Sequence, residues 1–204
     1  MGYLGTKPQV ATTLADNIVT ADKIVSGAVT DAKIAAMAAT KLTGTVPDAN
    51  APSGSVLQVV TATKSDNFST TSTSYTDVTG LSVTLTPASA SSRILVIANL
   101  FIGTTSGNFF TLGQVVRNST VLPINTGSSG GWQAWANSGS LTSGNDNRSV
   151  VHNGITYLDE PATTSATTYK IQVRAGNNTG YVNRWALNGD AVAVSSITVM
   201  EIAG

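Results

Sequence analysis

The chain has 204 residues, a formal net charge of zero and no cysteine, and charged residues make up 11% of it, against about 25% in ordinary soluble proteins. The zero net charge and the scattered basic residues exclude an electrostatic footprint for nucleic acid or an anionic membrane, and the lack of cysteine excludes disulfides and thiolate metal sites. No stretch approaches the roughly 18 apolar residues of a membrane span, so we expect no membrane insertion.

The first predicted element is a repeating segment within residues 1–50. Residues 18–24 (IVTADKI) recur as residues 28–34 (AVTDAKI), and residues 40–42 (TKL) look like a degraded third copy. Each unit offers only a few aliphatic side chains and an Asp/Lys pair, which is too little to close a core alone. We therefore predict a stalk in which several chains pack along an axis. Its centre is predicted to hold Ile18, Ile24, Ile34 and Leu42.

Residues 51–204 are predicted to form a separate β head. Apolar residues alternate with polar ones at 81–85 and 169–173, a period of two that is typical of strands with one buried face. Turn-rich stretches such as 77–80, 87–92 and 176–180 separate the runs at short intervals. We count about eight strands and expect an antiparallel β-sandwich of jelly-roll type.

Two runs of the head are apolar on both faces. In residues 94–102 one face carries five aliphatic side chains and the other carries Leu95, Ile97 and Phe101. In residues 195–202, Met200 and Ile202 lie on the second face. A strand with two apolar faces is buried twice. We expect one face to fill the sandwich and the other to meet a second subunit.

Aromatic and amide side chains cluster in two regions rich in Asn and Gly. An aromatic face covers the C–H side of a sugar ring, and amides and arginine bond to its hydroxyls. The pattern predicts a glycan or receptor site, while the alternative is that these aromatics cap the core or seal a subunit interface. For Trp185 we favour that alternative. The site candidates are Trp132, Gln133, Trp135, Asn137, Tyr181, Asn183 and Arg184.

The chain offers little that resembles a catalytic site. Residues 127–131 (GSSGG) fit the G-x-S-x-G pattern, but no strand, turn and helix surround them. Asp159 and Glu160 are neighbours that would face opposite sides of a strand, and we place them in a turn before Pro161. The single histidine, His152, is expected to make an ordinary hydrogen bond, with a metal shared on a threefold axis as the alternative. We predict no enzymatic activity, no cofactor and no metal site.

Several motifs together resemble one protein family. They are LGTKP at 4–8, the Asp/Lys repeats of the stalk, GSVLQVV at 54–60, SRILV at 92–96, YLDEP at 157–161, TTYKIQVR at 167–174 and SSITVMEI at 195–202. This set is similar to small bacteriophage tail-fibre and virion-fibre proteins of viruses that infect cyanobacteria and other aquatic bacteria. The resemblance covers nearly the whole chain except residues 125–150.

The resemblance implies a homotrimeric virion fibre, made in the host cytoplasm, whose head is similar in style to the tumour-necrosis-factor and C1q jelly rolls. The N-terminal segment would join other tail or baseplate proteins of the virion. The head would bind a host-surface glycan during adsorption. The alternative is a purely structural role, as a fibre or cement protein that decorates the capsid, collar or tail.

Overall fold

A computed structural model describes Ile24, Ser26 and residues 47–104, 110–122, 136–137, 150–177, 179–185 and 193–204. Backbone packing divides the chain into two units, Met1–Thr45 and Val46–Gly204. The second unit contains the predicted head, and the fold described below is that of this unit.

The described part of the head is built almost entirely from strands. A 3-10 turn at Asp48–Asn50 precedes them. In chain order the strands are β1 (Val56–Lys64), β2 (Phe68–Thr70), β3 (Thr76–Leu85), β4 (Arg93–Thr104), β5 (Thr111–Arg117), β6 (Thr120–Leu122), β7 (Ala136–Asn137), β8 (Val150–Asp159), β9 (Thr167–Ala175), β10 (Gly180–Val182) and β11 (Ser195–Ile202).

The first sheet is organised around β4. β8 pairs with residues 94–103 of β4 and therefore occupies one edge of that strand. β11 pairs with residues 93–99 and β10 with residues 102–104, so these two strands share the other edge. β1 lies outside β11, and β2 lies outside β10. In the second sheet β9 lies between β3 and β5, and the short β6 and β7 share the far edge of β5.

The chain follows the course of one long hairpin rolled up on itself. Its outer arms pair β1 with β11 and β3 with β9, and its inner arms pair β4 with β8 and β5 with β6 and β7. All of these pairs are antiparallel. Such nested pairing, distributed over two sheets, is the jelly-roll arrangement. The structure therefore confirms the predicted mainly β, antiparallel sandwich.

Alternating apolar side chains fill the space between the two sheets, as the sequence predicts. Both predicted one-faced runs, 81–85 and 169–173, place their aliphatic and aromatic residues in the core. The first face of β4 is also fully buried, with Ile94, Val96, Ala98, Leu100 and Ile102 in contact with the opposite sheet's core residues. Burial of each such side chain stabilises the fold by about 1.5 to 3 kcal/mol, which makes the core the main source of stability.

A β-bulge replaces one of the predicted turns. The sequence predicts a turn at residues 77–80, but these residues lie inside β3. The pairing of β3 with β9 shifts between Asp77 and Ser82, and Gly80 has a φ of 88°. Glycine adopts this left-handed conformation without a steric penalty. The turn prediction is wrong here because β3 carries three more residues than β9 between these two pairs, so the glycine lies in a bulged stretch of strand and not at a chain reversal.

The sandwich has two distinguishable ends. At one end β1 begins, with Val56 opposite Ile202, and the chain arrives from the residues before β1. We call this the entry end. At the other end Lys64 lies opposite Ser195, and we call this the distal end. The strands connect the two ends, so residues at the ends of strands can be assigned to one or the other.

A buried ionic cluster closes the entry end between the sheets. The Asp159 carboxylate accepts hydrogen bonds from Arg117 Nη1 at 2.7 and 2.8 Å and from the Tyr169 hydroxyl at 2.7 Å. Asp159 comes from β8 of the first sheet, whereas Arg117 and Tyr169 come from β5 and β9 of the second. The predicted turn at Asp159 is thus wrong, because this residue ends β8 and is buried, while Glu160 beside it is exposed.

The Tyr169 hydroxyl should make the stability of the head sensitive to alkaline pH. Burial, followed by the hydrogen bond to Asp159, raises the pKa of Tyr169 well above its usual value of about 10. Because the pKa is higher in the folded state, the Tyr169 hydroxyl contributes its full stabilisation at pH values below the pKa of the unfolded chain. This contribution is lost as the pH rises from there toward the pKa of the folded state. We expect Tyr169→Phe to cost about 1 to 3 kcal/mol at pH 8. The deficit should shrink in urea titrations above pH ~10, and a deficit independent of pH would contradict this assignment.

Candidate functional site

The outer face of the first sheet carries a row of apolar side chains that crosses four strands. Val59 of β1 lies opposite Met200 of β11, Met200 lies opposite Leu95 of β4, and Leu95 lies opposite Leu158 of β8. We call these four residues the apolar row. The residues before and after each of them in the same strand face the core, so the side chains of the apolar row point away from it.

The apolar row remains accessible in the single chain. Val59 is 54% exposed and Leu158 is 43% exposed, and Leu95 and Met200 are half-buried. Ile97 and Ile202 extend the row on the same face of β4 and β11. Exposed apolar side chains that adjoin one another in this way mark an interaction surface more often than isolated ones do. The predicted second apolar faces of β4 and β11 therefore lie together, with Val59 and Leu158 added from the outer strands.

The outer face of the second sheet is chemically different. Asp77 accepts hydrogen bonds from Lys170 Nζ at 2.8 Å and Gln172 Nε2 at 2.7 Å, and Gln114 Nε2 donates to Gln172 Oε1 at 2.7 Å. The bond from Lys170 is the main reason why the pKa of Asp77 is lowered. This network links side chains of three strands, β3, β9 and β5. Among the described strands, the large apolar side chains that stay exposed, Val56, Val59 and Leu158, all belong to the first sheet.

Large connections of the chain begin and end near the distal end. β4 ends there at Thr104, and β8 begins there with Val150 opposite Gly103. The predicted site residues Trp132, Gln133 and Trp135 belong to the connection between β6 and β8 and lie outside the described residues. Asn137 is described through its backbone only. It pairs with Leu112, the second residue of β5, near the distal end.

Tyr181 and Arg184 form the described part of the predicted glycan site. Val182 lies opposite Ile102, a core residue, so Tyr181 faces the outer side of the first sheet, opposite Gly103. The Arg184 guanidinium lies 4.4 Å from the centre of the Tyr181 ring, and Arg184 Nε donates to the Trp185 carbonyl at 3.1 Å. A guanidinium at this distance over a phenol ring is a cation–π contact. Tyr181 is buried beneath it, whereas Arg184 is half-exposed.

Asn183, although it lies between these two residues, faces the inside of the fold. Its side-chain amide donates to the carbonyls of Lys64 at 2.8 Å and Asp66 at 3.0 Å, and its Oδ1 accepts from Ser195 Oγ at 2.6 Å. It is fully buried, with a φ of 63° that asparagine tolerates better than most residues. Both amide hydrogens are donated within the fold. The predicted contact between Asn183 and a sugar is therefore not carried into the proposed function.

His152 makes the ordinary hydrogen bond that the sequence analysis expects. Its Nε2 lies 3.1 Å from Asn99 Oδ1, and its ring lies 4.6 Å from the Phe101 ring. All three side chains lie on the outer face of the first sheet, between the apolar row and the distal end. Within the described ranges, no three His, Cys, Asp or Glu side chains lie close enough to hold a metal ion.

Of the four predicted stalk positions, the structure describes one. Ile24 is described and is 44% exposed in the single chain. Ile18, Ile34 and Leu42 lie outside the described residues. The packing of these four side chains along an axis stays a prediction. No helix in the part of the chain that the structure describes is long and apolar enough to cross a membrane.

Comparison with known proteins gives one kind of likeness. No protein-family model matches the chain, and no curated protein matches it. The fold is similar to that of virus-particle chains. A structure of the Gt strain of infectious bursal disease virus covers 74% of this chain and is matched over 39% of its own, at 15% identity and a TM-score of 0.41. A structure of T=1 particles derived from infectious bursal virus covers 72% of this chain and is matched over 36% of its own length, at 14% identity and a TM-score of 0.38.

This likeness has clear limits. The chain spans about two fifths of the length of the solved chains that it matches. At such identities the similarity concerns the arrangement of strands alone, and it does not indicate what the chain binds. The functional argument below therefore depends on the surfaces of the head and on the sequence motifs.

Sequence reasoning missed half of the apolar row. Val59 and Leu158 were not singled out, because each lies in a strand whose neighbouring residues do not form a second apolar run. The available signal is the apolar alternation of Ile155 and Tyr157, both of which pack against the core, because it places Leu158 on the opposite face. Asp159 itself was missed for the related reason that an Asp-Glu-Pro sequence is typical of a turn.

Proposed function

We propose that this chain is a homotrimeric virion fibre protein whose head contacts the host surface, with a glycan as its receptor. The observation that carries the proposal is the division of the head into an entry end, a distal end and one apolar outer face. The chain arrives at the entry end, while the connections that hold the predicted site residues flank the distal end. A fibre that attaches through its N-terminal segment would present that distal end outward.

The apolar row supports the trimeric part of the proposal. In this arrangement the outer face of the first sheet meets two further copies of the same chain, and the ion pair of Asp77 with Lys170 on the second sheet faces water. Burying Val59, Leu95, Leu158 and Met200 in each copy would contribute about 1 to 2 kcal/mol per side chain, since each is only partly exposed at the start. A repeating stalk, which cannot close its own core, requires the same association.

The distal end supports the receptor part of the proposal. Tyr181 and Arg184 combine an aromatic ring with a hydrogen-bonding cation on one surface. The connection that holds Trp132, Gln133 and Trp135 begins and ends in strands of the same head. Aromatic faces with nearby amides recognise sugar rings without needing many charges, which suits a chain with so few charged residues.

Host attachment tests this function directly. We expect Trp132→Ala and Trp135→Ala to reduce attachment of the purified full chain to host cells at least about tenfold, the loss expected when an aromatic contact worth about 1.4 kcal/mol is removed. Thr84→Ala, an exposed change on the outer face of the second sheet, should leave attachment unchanged. The oligomeric mass of each variant is the control for assembly. Unchanged attachment by both tryptophan variants would remove that connection from the receptor site.

The purely structural role has one observation in its favour, because the exposed apolar row would also suit a lateral contact with another virion component. Immunogold electron microscopy of intact particles, with antibody against residues 55–204, separates the two functions. Label at the distal tips of tail fibres supports host recognition. Label over the capsid or collar, with adsorption intact in particles that lack the protein, supports a decoration or cement protein instead.

A further inference from the structure

A cavity of about 390 Å³ lies at the entry end of the head, and we call it the entry cavity. Its lining residues all belong to the described part of the chain. They come from the segment before β1, from β1, from the loop between β3 and β4, and from the residues after β11. No residue of β5, β8 or β9, the strands that hold the buried ionic cluster, lines it. Its volume lies within the range of about 300 to 1,000 Å³ that is usual for ligand sites.

One wall of the entry cavity carries a hydroxyl that the fold leaves unpaired. Ser92 is 2% exposed, and its Oγ has no hydrogen-bond partner in the described structure. The hydroxyls of Ser89 and Ser91, which line the same wall, bond to each other at 2.9 Å. A buried polar group without a partner costs free energy, so such groups in native proteins are usually paired by a ligand or an ordered water. The Ser92 hydroxyl therefore points to an occupant of the cavity.

The ionisable groups at the entry cavity are acidic. Asp48 lines its exposed rim, and no lysine or arginine lines it. The carboxylate of the buried Glu201 lies behind the wall, where it accepts a hydrogen bond at 2.7 Å from the N–H of Ala88, a lining residue. Arg93, which follows the serine-bearing loop, precedes the buried Ile94 and so faces the outer side of the sheet. This arrangement disfavours phosphate and carboxylate ligands and favours a cation.

Aliphatic groups complete the lining. Leu57 is half-buried, and alanine side chains at 51, 88 and 203 lie around it. A ligand that matches both parts has an aliphatic stem and a cationic head, as a lysine side chain does. The acceptors, a single hydroxyl and a carboxylate from separate segments, suit the three donors of an ammonium group better than the planar fork of a guanidinium.

Backbone hydrogen bonds hold the two polar walls in place. The Ser92 N–H donates to the Ser89 carbonyl at 3.2 Å, which closes the turn before β4. The Ala51 N–H donates to the Asp48 carbonyl at 3.1 Å, which closes the 3-10 turn. A site that is already ordered loses little conformational entropy when a ligand binds.

We propose that the entry cavity binds a primary ammonium group on an aliphatic stem, the chemistry of a lysine side chain. Asp48 and the Ser92 hydroxyl accept hydrogen bonds from the ammonium group, and Leu57 contacts the stem. In the proposed fibre the entry end faces the virion components that the N-terminal segment joins, so the lysine belongs to such a partner protein. The source of the lysine rests on the proposed function, whereas the ligand chemistry rests on the cavity alone.

The experiment follows the backbone amide NMR signals of residues 88–92 in the full-length protein during titration with N-acetyl-lysine-N-methylamide. We expect saturable shifts at millimolar concentration. The analogue with norleucine in place of lysine keeps the stem but lacks the ammonium group, and it should give no saturable shift. Sodium acetate at matched ionic strength should also give none.

Three variants separate ligand binding from folding. Asp48→Asn should weaken binding about threefold, because its carboxylate is exposed and screened. Ser92→Ala should weaken binding about fivefold, the loss expected for one hydrogen bond. The same change should not lower the urea midpoint of the unliganded protein, since it removes a buried hydroxyl that has no partner. Glu160→Gln, which removes an exposed carboxylate outside the cavity, should leave binding unchanged.

Three outcomes would overturn the proposal. They are equal shifts with the norleucine analogue, no shift up to about 100 mM of the lysine derivative, and a lowered urea midpoint in Ser92→Ala with unchanged binding. Immunogold labelling and host attachment test the proposed function separately. If the protein labels tail fibres but ignores the lysine derivative, only this inference fails. If the derivative binds but the protein is absent from the virion, the site stands and the virion partner is refuted together with the proposed function.

Discussion

Asp159→Ala is expected to lower the free energy of unfolding of the head by about 3 kcal/mol. The change removes the carboxylate that accepts bonds from Arg117 and Tyr169, and it leaves both donors without that acceptor at the closed entry end. Breaking a buried pair usually costs about 3 to 5 kcal/mol. The lower value applies because the Arg117 side chain is 23% exposed and can recover part of its hydration.

The measurement is urea unfolding of wild type and variant at one protein concentration, since association contributes to the apparent stability. Glu160→Ala is the matched control, because it removes the neighbouring exposed carboxylate and should change the stability by no more than about 0.5 kcal/mol. The double variant that also carries Arg117→Ala should lose less than the sum of the single changes. Equal stability of Asp159→Ala and Glu160→Ala would show that the cluster contributes little.

The second large effect is expected from Leu158→Asp, which places a carboxylate in the apolar row. Leu158 is 43% exposed in the single chain, so the head should still fold. In the proposed trimer the same change would bury three carboxylates near one another, without partners. We expect the dissociation constant of the trimer to rise at least about 100-fold, which corresponds to about 2.7 kcal/mol.

Dilution series followed by light scattering provide the measurement on the full chain, where any contribution of the predicted stalk is the same in every variant. Ser82→Asp is the control, because it introduces the same group at an exposed strand position of the other sheet, opposite Lys170. Val59→Asp should reproduce the effect of Leu158→Asp from the opposite edge of the row. A trimer that survives both changes with unchanged affinity would remove the first sheet from the subunit interface, and a monomeric wild type would refute the trimer.

The sequence predicts the features of this head that depend on local periodicity. The alternation at 81–85, 94–102 and 169–173 assigns core residues correctly, because a strand that covers one core must alternate. The nested pairing of β1 with β11 is different in kind, since register depends on partners far away in the chain. The bulge at Gly80 illustrates the same limit, because a glycine that is typical of a turn can also lie in a strand that bulges to accommodate three extra residues.

The site shows a similar division. The sequence groups Tyr181 and Arg184 because they lie in one region rich in Asn and Gly, and the structure brings the two side chains into a cation–π contact. The opposite orientation of Asn183 was not predictable from local sequence. It requires a left-handed φ, two carbonyl acceptors in β1 and the loop after it, and one hydroxyl donor in β11. The apolar row was half-predicted for a related reason. Met200 and Leu95 belong to recognisable two-faced strands, whereas Leu158 acquires its neighbours only through the sheet.

The pairing of β1 with β11 also sets the order of events during synthesis. β11 follows all the other described strands in the chain and is made after them, yet it lies between β1 and β4 in the first sheet. Until it emerges, the central strand β4 lacks most of one neighbour and β1 has no partner along its length. Sheets held together by such distant pairings form slowly and late. Residues 1–50 are made before β11. If they form the predicted stalk, nascent chains can associate through it before the head closes.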